Sequence, residues 1–198
     1  MSRLYQLLLP TVMRIVAGKF KGRPLTTPKG RATRPTSDRA RETLFNVLAH
    51  ADWAPPLEDA RIIDLFAGSG SLGLEALSRG AAFSLFVDTD NSARGAIRSN
   101  IETLALFGVS RIHRRSATAL GPRPANLGDA FDLVFIDPPY NKDLVLPALQ
   151  ELKIGGWLNA SAVAVVETGA DEELDFQGWE ILNQRISGAA KLTFMKQV

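Results

Sequence analysis

Asp137-Pro138-Pro139-Tyr140 follows directly on the apolar run Phe131–Ile136. A run of that length and composition reads as a buried strand, and the two prolines force the chain out of it along an extended path. A carboxylate, a carbonyl unable to recoil into helix and an aromatic ring are thereby fixed at a strand's C-terminal end. Open α/β sheets bind their ligands at such ends. The set suits an exocyclic amino group on a flat base. Asp137 and the Pro138 carbonyl can accept its two N–H bonds while Tyr140 stacks on the ring. The same four residues would equally serve as a tight Pro-Pro turn, so the rest of the chain has to decide.

A second group lies upstream, in Asp64-Leu65-Phe66-Ala67-Gly68-Ser69-Gly70-Ser71-Leu72-Gly73. Gly68 and Gly70 let the backbone turn sharply and approach a ligand without Cβ clash, and a helix opening at Ser71 presents unpaired N–H groups nearby. Asp88 comes at the end of the next apolar run, with Asp90 two residues on. A carboxylate at that point can accept hydrogen bonds from both ribose hydroxyls of a nucleoside cofactor. No G-K-[S/T] ending follows the glycines, which argues against nucleotide triphosphate hydrolysis. Asp64 would repel a pyrophosphate but help hold a positively charged amino group. S-adenosylmethionine carries such a group beside its sulfonium.

The elements that must hold these groups alternate along the chain. Strands are expected at Arg61–Phe66, Ala82–Asp88, Arg111–Arg115, Phe131–Ile136 and Val163–Glu167. Helices are expected at Arg39–His50 behind the cap candidates Thr36-Ser37-Asp38, and at Ser71–Arg79, Ser92–Phe107 and Leu144–Leu152. Trp179–Ile186 and Lys191–Lys196 suggest a terminal antiparallel hairpin around Ser187-Gly188. Strands alternating with helices imply an α/β fold with a doubly wound, mostly parallel sheet.

Charge divides the chain unevenly. The net charge is +2, yet residues 1–41 hold ten Lys or Arg against one acid, whereas the remainder holds thirteen against twenty. A basic arm on an acidic body points to a polyanionic partner, most simply nucleic acid. Ile15–Leu25 mixes apolar and basic residues around glycines, as a small β-hairpin with a basic face would, and Lys19, Lys21 and Arg23 are its candidate RNA contacts. Three units are expected: a dispensable or disordered extension at 1–12, a basic arm at 13–35 and the main domain at 36–198. Leu4–Val12 is apolar but too short to span a membrane and is interrupted by Pro10. The absence of cysteine excludes a disulfide framework, a thiolate nucleophile and Cys-ligated zinc. His50 and His113 are the two histidines and lie far apart, which argues against a His-based metal site or a Ser-His-Asp triad.

Asp64-x-Phe66-x-Gly68-x-Gly70, Asp88 and Asp137-Pro138-Pro139-Tyr140 together resemble the motif set of class I S-adenosylmethionine-dependent amino methyltransferases. The runs Arg34–Asn46, Gly73–Ala81 and Gly156-Trp157-Leu158 narrow the resemblance to the RsmD-type family, over about residues 13–196. The resemblance implies a Rossmann-like fold and methylation of the N2 amino group of a guanine in small-subunit (16S) ribosomal RNA. It implies S-adenosylmethionine as cofactor, S-adenosylhomocysteine as product and no metal. Asp137, Pro138 and Tyr140 would form the catalytic set, and Asp64, Phe66, Gly68, Gly70 and Asp88 the cofactor site. Ser116 stands where the family shows an acidic residue against the adenine amino group; a hydroxyl can accept that bond without a carboxylate's charge. Arg34 would join the RNA contacts.

The substrate is expected to be ribosomal RNA within an assembled or assembling 30S particle, and the protein a cytoplasmic monomer without membrane contact. Two other functions use the same residues. An adenine-N6 DNA methyltransferase shares the Asp-Pro-Pro-Tyr box, but nothing here has the length of a separate DNA-recognition domain. A non-catalytic, cofactor-binding ribosome-assembly factor would need no such box.

Overall fold

A computed structural model describes residues 13–29 and 38–198. The expected extension at 1–12, the cap candidates Thr36 and Ser37, and Arg34 lie outside the described residues. Among the described residues seven strands form one sheet: β1 (Arg61–Leu65), β2 (Phe83–Val87), β3 (Ser110–His113), β4 (Phe131–Ile136), β5 (Leu158–Gly169), β6 (Trp179–Ser187) and β7 (Ala190–Gln197). Their spatial order is β3-β2-β1-β4-β5-β7-β6. β1 to β5 run parallel, and β7 pairs antiparallel with both β5 and β6. The doubly wound sheet and terminal hairpin are as the sequence implied. β1 and β4 are adjacent although two strands separate them in the chain, so the order reverses between them and opens a crevice at their C-terminal ends.

Among the described residues four α-helices cover the sheet: α1 (Asp38–His50), α2 (Ser71–Ser78), α3 (Asn91–Leu104) and α4 (Val145–Ile154). Alternation along the strands splits the core in two. Ile62, Phe86, Phe135 and Val165 face α1, α2 and α3, whereas Ile63, Val134, Ile136 and Val166 face α4. Helix α3 stops at Leu104, short of the expected Phe107, because Ala105 adopts a left-handed conformation at φ 55° and ends it. Asp90 starts it, its side chain accepting from the Ala93 amide at 2.9 Å. Gly73 lets α2 lie close on β2, since a Cβ there would stand 2.4 Å from Ser84 Oγ.

The basic arm is a closed loop pinned to α2. One antiparallel bridge, Arg14 to Pro24, replaces the regular hairpin ladder. The amides that would extend a ladder are used elsewhere. Both oxygens of buried Glu75 on α2 accept from the arm, from Val16 N at 2.7 Å and Ala17 N at 2.9 Å. Ser78 Oγ accepts from Phe20 N at 3.0 Å, and its carbonyl accepts from Lys19 N at 2.7 Å. Met13, Ile15 and Leu25 are buried in the core that also holds Leu44 and Phe45 of α1. Fully buried Arg41 of α1 donates to the Arg14 carbonyl of the arm at 2.5 Å and, within α1, to Asp38 at 2.7 Å; Asp38 in turn accepts from Arg14 Nε at 3.1 Å.

Candidate active site

Four carboxylates stand along the C-terminal edge of the sheet, in the order Asp88, Asp64, Asp137, Glu167 across β2, β1, β4 and β5. Each lies two residues beyond a side chain that faces α1 to α3 (Phe86, Ile62, Phe135, Val165), so strand alternation puts all four on that face. Asp64 is the most enclosed. Its Oδ2 accepts from the Gly73 amide at 3.0 Å, which fixes the start of α2. Burial holds its carboxyl well above the ordinary carboxylate range; the Gly73 bond opposes this, and the charges of Asp137 and Asp88 add to it.

The loop from β1 to α2 is left-handed at three points: Phe66 (φ 58°), Gly68 (φ 56°) and Gly70 (φ 77°). For Phe66 that conformation costs about 1–2 kcal/mol, and Ala67 N helps fix it by donating to the Val87 carbonyl at 3.2 Å. Asp88 holds the loop from the next strand. Its Oδ2 accepts from Gly68 N at 2.9 Å and its Oδ1 from Asp90 N at 2.8 Å. Each oxygen retains lone-pair capacity for a hydroxyl. Asp90 itself is a helix cap. A side chain added at Gly68 would meet only the Phe66 carbonyl oxygen, at 3.8 Å, so the space before this loop is open. A cradle of bare backbone beside a carboxylate fits the nucleoside end of S-adenosylmethionine.

Beyond β4, Asp137 and Tyr140 are half-buried, Pro138 is buried and Pro139 is exposed. The Tyr140 hydroxyl donates to Glu167 Oε1 at 2.6 Å. Asn141 and Asp143 are left-handed at φ 53° and 52°, turning the chain back toward α4. Glu172 braces this turn from the β5 side, with Oε2 near the Gly169 amide at 3.2 Å and the Asn141 amide at 3.5 Å. The Asp137 set and the Asp88 cradle therefore flank Asp64 at the reversal point of the sheet.

Other expected residues lie further out. Ser116 is half-buried in the turn after β3, three residues past the strand's end, and its hydroxyl pairs with Thr118 Oγ1 at 2.9 Å. Lys19, Lys21 and Arg23 are exposed on the arm. Among the described residues, no three His, Cys, Asp or Glu side chains group as a metal site requires, and no helix is long and apolar enough to cross a membrane.

Three residues escaped the reading of the sequence. Glu75 carries a carboxylate in the middle of the apolar helix Ser71–Ser78, where charge needs a buried partner. Asn100 occupies a core position of α3 between Ile97 and Ile101. Glu167 ends an apolar strand run as Asp137 does. In each case a polar residue interrupts an apolar pattern, and that was the available signal.

The family profile described as Conserved hypothetical protein 95 matches residues 13–196. Ribosomal RNA small subunit methyltransferase D of Escherichia coli (strain K12) is 35% identical over 178 residues, covering 89% of this chain and 85% of that protein. The protein of the same name from Haemophilus influenzae is also 35% identical over 178 residues, covering 89% of each. The solved structure of Escherichia coli yhhF superposes with a TM-score of 0.77 at 33% identity, covering 93% of this chain and 97% of that one.

Proposed function

The chain belongs to the RsmD family (Conserved hypothetical protein 95), and from that membership we propose that it transfers a methyl group from S-adenosylmethionine to the exocyclic N2 amino group of a guanine in small-subunit (16S) ribosomal RNA. The observation that carries this reading is the pairing, at one reversal point of the sheet, of an open glycine cradle held by Asp88 with the Asp137–Tyr140 set.

When bound, S-adenosylmethionine supplies a methyl group already activated by a sulfonium, so the protein needs no nucleophile of its own. Gly68 and Gly70 offer backbone to it, Asp88 accepts from ribose hydroxyls, and Ser116 offers a hydroxyl toward the adenine. Phe66 sets the turn. Asp64 would face the cationic amino group of the cofactor, whose charge opposes the upward push of burial on its carboxyl.

The protein's remaining task is to make a poor nucleophile competent. The lone pair of a guanine amino group is delocalised into the ring. Asp137 and the Pro138 carbonyl accept its two N–H bonds, which favours a pyramidal nitrogen with the lone pair directed outward. These bonds strengthen as positive charge develops on that nitrogen, so they stabilise the transition state more than the ground state. Asp137 then accepts the surplus proton or passes it to water. Tyr140 stacks on a base drawn out of its helix or loop. Lys19, Lys21, Arg23 and Arg34 neutralise RNA phosphates. The partner is small-subunit RNA within an assembled or assembling 30S particle, met in the cytoplasm by a monomer.

The test is methyl transfer from labelled S-adenosylmethionine to unmodified small ribosomal subunits, naked ribosomal RNA and duplex DNA, followed by nucleoside analysis. N2-methylguanine from the ribosomal substrates is the expected product. N6-methyladenine in DNA would overturn the substrate assignment. Cofactor and RNA binding without transfer would leave a binding factor instead of an enzyme.

A further inference from the structure

Asn100 is 2% exposed on the inner face of α3, and both ends of its amide hold backbone from other segments. Its Oδ1 accepts from Thr26 N at 2.7 Å, while Nδ2 donates to the Thr26 carbonyl at 3.0 Å and to the Ser69 carbonyl at 3.0 Å. Thr26 belongs to the basic arm, and Ser69 sits between the left-handed Gly68 and Gly70. A parallel contact joins the same two segments, with Ser69 Oγ 3.2 Å from Met13 Sδ. Helix α3 does not require these bonds, because Asp90 caps it and Ala93, Ile97 and Leu104 pack it.

We propose that Asn100 is a positioning residue that couples the RNA-facing arm to the cofactor loop. The inference rests on the cofactor and substrate reading above. An amide is planar, so rotating it to suit the loop would break its bonds to the arm. A ligand that fixes Ser69 therefore fixes the plane of Asn100, and with it the amide and carbonyl of Thr26. By thermodynamic reciprocity, RNA held on the arm strengthens cofactor binding by the same factor.

Hydrogen exchange on the full chain, with and without saturating S-adenosylhomocysteine, tests this without measuring turnover. In the wild type, exchange slows at residues 66–70 and also, by roughly fivefold or more, at Leu25 to Thr27. Asn100→Asp keeps the acceptor for the Thr26 amide but removes both donors; the loop response persists and the arm response disappears. Thr26→Pro deletes the amide that Asn100 accepts from and leaves α3 and the bond to the Thr26 carbonyl in place; read at Leu25 and Thr27, it weakens the arm response and serves if Asn100→Asp does not fold. Slowing at the loop with none at the arm in the wild type overturns the coupling. An arm response at the wild-type level in either variant that folds overturns the role of Asn100. Absence of any protection, loop included, removes the cofactor reading and the coupling with it.

Discussion

The Tyr140 hydroxyl donates to Glu167 Oε1 at 2.6 Å, joining the loop after β4 to the end of β5. The bond is charge-assisted and fixes the orientation of the ring on which a base would stack. Tyr140→Ala removes the stacking surface and should weaken RNA engagement by about 1–3 kcal/mol. Tyr140→Phe keeps the ring and loses its anchor. Its KM for RNA should rise by up to roughly tenfold, with kcat nearly unchanged. Steady-state kinetics on both variants check this; equal KM values in wild type and Tyr140→Phe would deny the anchor any role.

Asp64 makes stability depend on pH in a defined direction. Its folded pKa lies well above the ordinary 3.8, first through burial. Between those two values the folded state binds more protons than the unfolded chain, so stability falls as pH rises through that window. Asp64→Asn should flatten this slope and be the more stable form, relative to wild type, above the window. Urea unfolding at a series of pH values reads the difference, and an unchanged slope would refute it.

Gly68 and Gly73, five residues apart, should fail differently when substituted. Gly73→Ala drives a Cβ to 2.4 Å from Ser84 Oγ and 2.5 Å from Phe86, which should cost about 1–3 kcal/mol of stability by overpacking. Gly68→Ala meets open space, so its fold cost is the left-handed backbone alone, about 1 kcal/mol. Its added methyl group enters the cradle, and S-adenosylhomocysteine affinity should drop by roughly tenfold or more. Thermal unfolding and calorimetric titration separate the two effects.

Replacing Lys19, Lys21 and Arg23 together by Ala should weaken RNA binding and flatten its salt dependence by about two units of log–log slope, if each neutralises one phosphate. S-adenosylhomocysteine affinity without RNA should not change, because these side chains are exposed and the arm is held through Glu75, Ser78 and Asn100. An unaltered salt slope would place the RNA elsewhere.

The sheet was legible because its strands are short apolar runs at regular intervals, and Phe131–Ile136 matches its expected bounds. Asp64, Asp88 and Asp137 stood out as candidates for a related reason: Asp64 lies near the end of β1, and Asp88 and Asp137 come directly after β2 and β4, where a carboxylate interrupts an apolar run. The arm was harder. Its basic and apolar pattern suggested a hairpin, whereas Glu75 and Ser78, nearly sixty residues on, take its amides and leave one bridge. Such long-range capture leaves no local periodicity. The end of α3 was misjudged because Ala105 carries no glycine or proline signal for its left-handed turn.

The central claim is that Asp137 grips the reacting amino group. Single-turnover methyl transfer to unmodified small ribosomal subunits, at saturating S-adenosylmethionine, measures that grip most directly. Asp137→Ala should slow formation of N2-methylguanine by about 10²–10³-fold, the scale of losing one transition-state hydrogen-bond partner, while RNA affinity stays near that of the wild type. A single-turnover rate for Asp137→Ala close to the wild-type value would contradict the account.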